Sequence, residues 1–195
     1  MGRIDLKIMT HRQTELVRYP YQGGVSCEPR DFDAESLSAR TTGAQAMTEP
    51  LYLDDLKPGM QMESPAFTVT EGDIRRFASE FDPQPFHLDE TAAKASIFGG
   101  LAASGWHTAA ITMRLLASGG LPLAGGIIGM SVEISWLKPV RPGDVLRVVS
   151  TVQQVQRSKS KPTQGIATVM SETQDEFGEV VQRLVSKLLV QARDA

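Results

Sequence analysis

Two hydrophobic periods succeed one another along the chain. In TEGDIRRFASEF, residues 70–81, Ile74, Phe77 and Phe81 recur every three or four positions behind Thr70 and Asp73. Those two residues fit the N-cap and third positions of a capping box, so a short helix is predicted here. A second helix is expected to begin near Asp89, and a third to run from about Ser104 to Ser118, where Gly119 and Gly120 stop it. The third helix opens on alanine and glycine, small residues that let other backbone or a ligand come close. It is therefore expected to be wrapped by sheet rather than to lie on a surface. Downstream the period falls to two. GMSVEISWLKPV, DVLRVVSTVQQVQR, QGIATVMSETQ and EVVQRLVSKLLVQ read as four strands, and AFTVT as an earlier one. LKPG, RPGD and DEFGE supply the turn chemistry around them. Helices early and a largely antiparallel sheet late define an α+β domain.

Length and composition add bounds. The 195 residues, 41% hydrophobic and 22% charged, suffice for one domain with its own core. Residues 1–46 show no clear hydrophobic period and leave through the Gly/Ser/Thr-rich SLSARTTGAQA. They are expected to be an N-terminal extension, poorly ordered or loosely docked, or sequence upstream of a start at Met47; the domain proper then spans 47–195. A net charge of −3 gives no general attraction to nucleic acid or to an anionic membrane. A single cysteine, Cys27, cannot form an internal disulfide and suits a reducing cytosol. With no apolar run near the roughly 18 residues of a membrane helix and no uninterrupted apolar segment at the start, a cytoplasmic protein is expected.

The candidate chemistry lies in FDPQPFHLD, residues 81–89. Each proline disfavours helix in the residue before it, so the first helix must end near Phe81 and strand Asp82 at its C-terminus. There the helix dipole opposes a carboxylate, a conflict that sequences accept mostly at working sites. Asp82 and His87 would point apart on a continuous helix, and on a straight strand would lie more than about 10 Å apart. A bent connection brings them together, and two prolines set such a bend rigidly. Read by spacing alone, the pair fits equally well an acid capping a turn and a histidine filling a core edge.

DPQPFHLD followed by FGGLAASGWHT resembles the signature of the MaoC-like dehydratases, the (R)-specific enoyl-CoA hydratases of the HotDog fold. Asp82, Pro85 and His87 match that motif, with Gln84 where the family has asparagine, and the resemblance extends from about Leu51 to Val190 through WLKPVRPGD. It implies an antiparallel sheet wrapped around a central helix, a homodimer, and a tunnel for an acyl-CoA near the subunit interface. It also implies the reaction, hydration of a 2-enoyl-CoA or dehydration of a 3-hydroxyacyl-CoA.

That reaction needs three functions. Water must be deprotonated as it attacks Cβ, a proton must reach Cα, and charge must be held on the thioester oxygen. A carboxylate and an imidazole can hold one water between them and trade its proton. Asp82 and His87 would form this dyad, with the roles of base and proton donor open between them. For the third function, Ser104 can cap the third helix and place Gly105 first, with an N–H that has no intrahelical partner. A glycine there by itself argues for close packing; by the resemblance, the matching glycine donates its amide to the thioester oxygen. His107 reads as a packed helix residue and His11 falls in the extension. Three scattered histidines give no metal site, and no metal or redox cofactor is implied beyond the CoA of the substrate. RSKSK, residues 157–161, reads as a solvated hairpin loop rather than a phosphate contact. A HotDog thioesterase and a non-catalytic acyl-binding member of the fold are the alternatives, the first set against the Asp/Pro/His motif and the second against an intact Asp82 and His87.

Overall fold

The computed structural model describes residues 49–193. The expected N-terminal extension, with Cys27, His11 and Met47, lies outside those residues. After a single 3₁₀ turn, Leu53–Asp55, come β1 (Gln61–Glu63), β2 (Phe67–Thr68), α1 (Glu71–Phe81), α2 (Pro85–Leu88), α3 (Glu90–Lys94) and α4 (Gly105–Leu115). Then β3 (Ile128–Trp136), β4 (Val145–Arg157), β5 (Gln164–Gln174) and β6 (Val180–Gln191) follow without interruption by helix. No helix among the described residues is long and apolar enough to cross a membrane.

All strand pairs are antiparallel, in the order β1-β4-β5-β6-β3, with β2 pairing β4 beyond the end of β1. The four long strands lie where the alternating pattern predicts them. β5 shows why: Gly165, Ala167, Val169, Ser171 and Thr173 are buried on one face while every intervening residue is only partly covered. The buried face meets α4, which turns Thr108, Ile111, Thr112 and Leu115 inward, so the sheet curls around one central helix. Leu146, Val148, Val152, Val169 and Val190 complete the core beneath it.

The interface between helix and sheet also holds a polar seam. Thr112 Oγ1 donates to the Thr108 carbonyl (2.9 Å), lies 2.6 Å from Thr173 Oγ1 and accepts from Gln182 Nε2 (2.8 Å), all of it buried. β3 is different in kind. It is an edge of the sheet: Val132 and Trp136, in register with Ser186 and Gln182 on the helix side, and Met130, at the bulge between Gly129 and Ser131, remain 55, 46 and 58% exposed.

Local chemistry follows the sequence closely in the helices. Thr70 Oγ1 accepts from the Asp73 amide at 3.1 Å and donates to its carboxylate at 2.6 Å, closing the N-terminus of α1. The expected third helix is shorter than its pattern: α4 ends at Leu115 and widens into a π turn, Leu116–Gly120, because Gly119 sits at φ 115°, outside helical space.

Candidate active site

Asp82 is the C-cap of α1, with φ −152°, ψ 68° and its N–H donating to Ala78 at 3.0 Å. The conflict with the α1 dipole is resolved by a second helix. Ser104, the N-cap of α4, donates its hydroxyl to Asp82 Oδ2 at 2.6 Å, so the carboxylate faces the positive end of α4 as well. Gln84 Nε2 donates to the other oxygen at 2.8 Å. Gln84, extended as the pre-proline rule requires, caps the one-turn helix α2 with Pro85 at its first position.

That turn carries His87 inward to 4% exposure. Its Nδ1 lies 2.7 Å from the Ala102 carbonyl. A carbonyl can only accept, so Nδ1 bears the hydrogen and Nε2 is left 3.5 Å from Asp82 Oδ2. Phe86, edge-on with ring centroids 4.6 Å apart, and Phe98, at 5.9 Å, hold the imidazole from its sides. The proline-set bend thus brings Asp82 and His87 together. The 3.5 Å gap is too long for a strong direct bond, and a water that donates to both atoms would fill their free lone pairs.

Gly105 opens α4 beside this pair, where a helix amide has no partner in its own helix. Two reasons for glycine coincide. A Cβ built on Gly105 would lie 2.8 Å from Cε2 of Trp136 and 2.9 Å from its Nε1, and that Nε1 donates to the Gly105 carbonyl at 2.9 Å. Close packing is therefore a demonstrated requirement at this position, alongside any role for its amide. Asp82, His87, Ser104, Gly105, Trp136 and Val140 all line one cleft of about 430 Å³. Farther along α4, a second, mostly apolar chamber of about 400 Å³ opens between Met113, Leu116 and Val169 on one side and Met130, Val132 and Leu184 on the other.

His107 takes no part in the cleft. It stacks on Phe77 of α1 (4.8 Å, 13°), its Nδ1 is buried without a hydrogen-bond partner, and burial pushes its pKa below the ordinary imidazole value. Arg157 pairs with Asp54 and donates to the Pro162 carbonyl at 2.9 Å. Its RSKSK loop follows the end of β4 that pairs with Gly165, whereas the cleft's Trp136 pairs with Gln182 near Thr173, at the other end of β5. The loop is a surface hairpin, as expected. Sequence reasoning did not find the Ala102 carbonyl, the bond from Ser104 to Asp82, or Trp136. The first is a backbone atom and the others join residues far apart in the chain, so no local pattern marks them.

A family model for the MaoC like domain matches residues 55–174. The chain is 56% identical to the MaoC-like dehydratase from Rhodospirillum rubrum, whose crystal structure superposes with a TM-score of 0.73 over 74% of this chain and 99% of that one. It is 34% identical to the uncharacterized protein YdeM of Bacillus subtilis over 124 residues, 63% of this chain and 86% of that protein. The unliganded R-hydratase PhaJ1 from Pseudomonas aeruginosa is 21% identical, with a TM-score of 0.60 over 74% of this chain and 88% of that one, and shares the fold.

Proposed function

The chain belongs to the MaoC-like domain family, a family of hydratases and dehydratases with the α+β HotDog fold, and from that premise we propose that it adds water to a 2-enoyl-CoA thioester, or removes it from the 3-hydroxyacyl-CoA, through Asp82 and His87. The observation that carries this reading is the pairing of two proton acceptors across 3.5 Å in a cleft, one of them an imidazole whose other nitrogen is committed to a carbonyl. The oxygens of Asp82 already accept from Ser104 and Gln84, which leaves His87 Nε2 as the freer lone pair.

In this mechanism His87 Nε2 takes one proton as the water oxygen bonds to Cβ. The imidazolium so formed is stabilised by Asp82 and by the Ala102 carbonyl. Negative charge passes to the thioester oxygen, where the Gly105 N–H at the positive end of α4 stabilises the enolate. His87 then returns its proton to Cα. Water has been added as hydroxyl at Cβ and hydrogen at Cα, and nothing else is consumed. The acyl chain is expected to run along α4 into the chamber at Met113, about 12 Å farther down the helix axis. No metal or redox cofactor enters the scheme; CoA is part of the substrate.

The working unit in this reading is a homodimer. β3 offers an unpaired edge and the exposed row of Met130 and Val132, which a second copy of the chain would cover.

Crotonyl-CoA hydration, followed by loss of the enoyl-thioester absorbance with chiral analysis of the product, tests the assignment. Asp82→Asn and His87→Ala are each expected to lower kcat about a hundredfold or more, and the double variant to lose little beyond either single one. Near-parental rates in either single variant would end the dyad assignment. Release of free CoA without hydration would point to the thioesterase, and binding without turnover to a non-catalytic acyl-binding protein.

A further inference from the structure

Arg141 lies outside the cleft, in the RPGD turn that leads into β4, yet its guanidinium is built into the wall behind the dyad. Its backbone N–H donates to Asp144 Oδ2 at 2.8 Å, which fixes the turn. Nη1 donates to the carbonyls of Gly100 (2.7 Å) and Leu101 (3.2 Å), and Nη2 donates to the carbonyl of Phe98. Three carbonyls of one loop thus converge on a single planar fork, a contact that suits guanidinium and not the point charge of a lysine. Its guanidinium makes no close ion pair with a carboxylate among the described residues; its charge is met at hydrogen-bond distance by these carbonyl dipoles, with the Asp144 carboxylate of the same turn farther off.

The loop it grips is the one that sets His87. Ala102, the residue after Leu101, supplies the carbonyl that accepts from Nδ1. Ala103 donates back to Val140, next to Arg141, at 2.8 Å, and the Phe98 ring packs against His87 and Phe86. Two tautomers compete at this imidazole. With the hydrogen on Nδ1, His87 bonds to a neutral carbonyl and offers Nε2 to the cleft. With the hydrogen on Nε2, and the ring drawn in from its 3.5 Å separation, it would donate to the Asp82 carboxylate, a charge-assisted and intrinsically stronger bond. In that second form the dyad closes on itself and the water loses its acceptor. The first tautomer prevails only while the Ala102 carbonyl is held rigidly in place.

We propose that Arg141 is a positioning residue for the dyad: by clamping the carbonyls of Phe98, Gly100 and Leu101 it aims the Ala102 carbonyl at His87 Nδ1 and so keeps Nε2 free toward Asp82. The consequence for catalysis rests on the reaction proposed above; the effect on the imidazole does not.

The experiment reads both. In full-length protein with ¹⁵N-labelled histidine, the neutral His87 signal, assigned with His87→Gln, is expected to report the Nδ1–H tautomer. In Arg141→Gln it is expected to move toward Nε2–H. The kcat for crotonyl-CoA should fall about ten- to a hundredfold with KM nearly unchanged, and Arg141→Lys should recover part of it. Added guanidinium ion is expected to restore part of the rate to Arg141→Ala. A parental tautomer together with a parental kcat in a folded Arg141→Gln would overturn the proposal. Should Arg141→Gln fail to fold, the same two readings on Arg141→Lys decide, and parental values there overturn it equally. A tautomer shift in a protein whose parent does not hydrate enoyl-CoA would uphold the clamp and refute the reaction alone.

Discussion

Replacing Gly105 by alanine and by proline separates the two reasons that a glycine stands at the start of α4. Either side chain brings a Cβ to within 2.8 Å of the Trp136 indole, against an ordinary carbon contact of about 3.5–4.0 Å. The indole must therefore swing by several tenths of an ångström, which also strains its 2.9 Å bond to the Gly105 carbonyl. Trp136 is 46% exposed and has room to move, so this collision is expected to cost about 1–2 kcal/mol of stability, toward the low end of overpacking. Both variants share that cost. Proline adds little strain of its own: at the first helical position its fixed φ is helical and its missing N–H had no intrahelical partner. The preceding Ser104, at ψ 143°, already has the extended geometry that a following proline demands. What remains in the difference between the two is one amide hydrogen. If it stabilises the enolate, kcat of Gly105→Pro should lie about a hundred- to a thousandfold below that of Gly105→Ala, equivalent to about 2.7–4 kcal/mol of transition-state stabilisation. Crotonyl-CoA kinetics with a thermal melt on each protein make the comparison. Repeating both in a Trp136→Leu background, where the collision is relieved, should preserve the ratio. Equal kcat in two variants that both melt cooperatively would refute the oxyanion role and leave Gly105 as a packing residue.

Two further outcomes are expected. Burial lowers the His107 pKa, with the Asp73 carboxylate pulling it up and Arg76 pushing it down, so the native protein resists a proton that the unfolded chain accepts at about pH 6.5. Its contribution is complete above that pH and is lost as pH falls from there toward the folded value, at up to about 1.4 kcal/mol per pH unit. His107→Phe keeps the stack on Phe77 and should flatten the loss of urea stability as pH falls below about 6.5; an unchanged slope would exclude His107 as its source. Asp73, held below its ordinary value by Thr70 and Arg76 despite the opposing effect of burial, adds a similar acid loss only at lower pH. At the sheet edge, Met130→Lys with Val132→Lys should convert a sedimenting dimer to monomer at micromolar concentration, and a parent that sediments as a monomer would falsify the homodimer.

The elements and the approach of Asp82 to His87 were largely legible because their signals are local. Strand alternation placed β4 to β6 within a residue and found the start of β3, which stops at Trp136, four residues short of the run read to Val140; Thr70 and Asp73 marked the start of α1, and the prolines around Gln84 announced the bend that joins Asp82 to His87. Even so, the bend is made by the one-turn helix α2, and the three-residue strand β1 left no readable period. What escaped were contacts between distant segments. The dipole conflict at Asp82 was visible, but its resolution by Ser104 at the start of α4 depends on how two helices meet. Likewise, the packing of Trp136 on Gly105 and the grip of Arg141 on Phe98 to Leu101 are products of the folded sheet.

The seam of Thr108, Thr112, Thr173 and Gln182 bears on how uniquely α4 is seated. Beyond its first turn α4 meets the sheet through Ile111 and Leu115, whose methyl groups resist turning on an aliphatic surface only weakly. Hydroxyl and amide groups discriminate where methyl groups do not: a rotation of about 100° that put Ile111 or Met113 in the place of Thr112 would leave Thr173 Oγ1 and Gln182 Nε2 without this partner, at about 1–3 kcal/mol each. Seatings of α4 turned in this way are thereby raised by a few kcal/mol above the native one. The seam acts as a key for the rotation of the helix about its axis, and the geometry at the Gly105 end is inherited from hydrogen bonds two turns away.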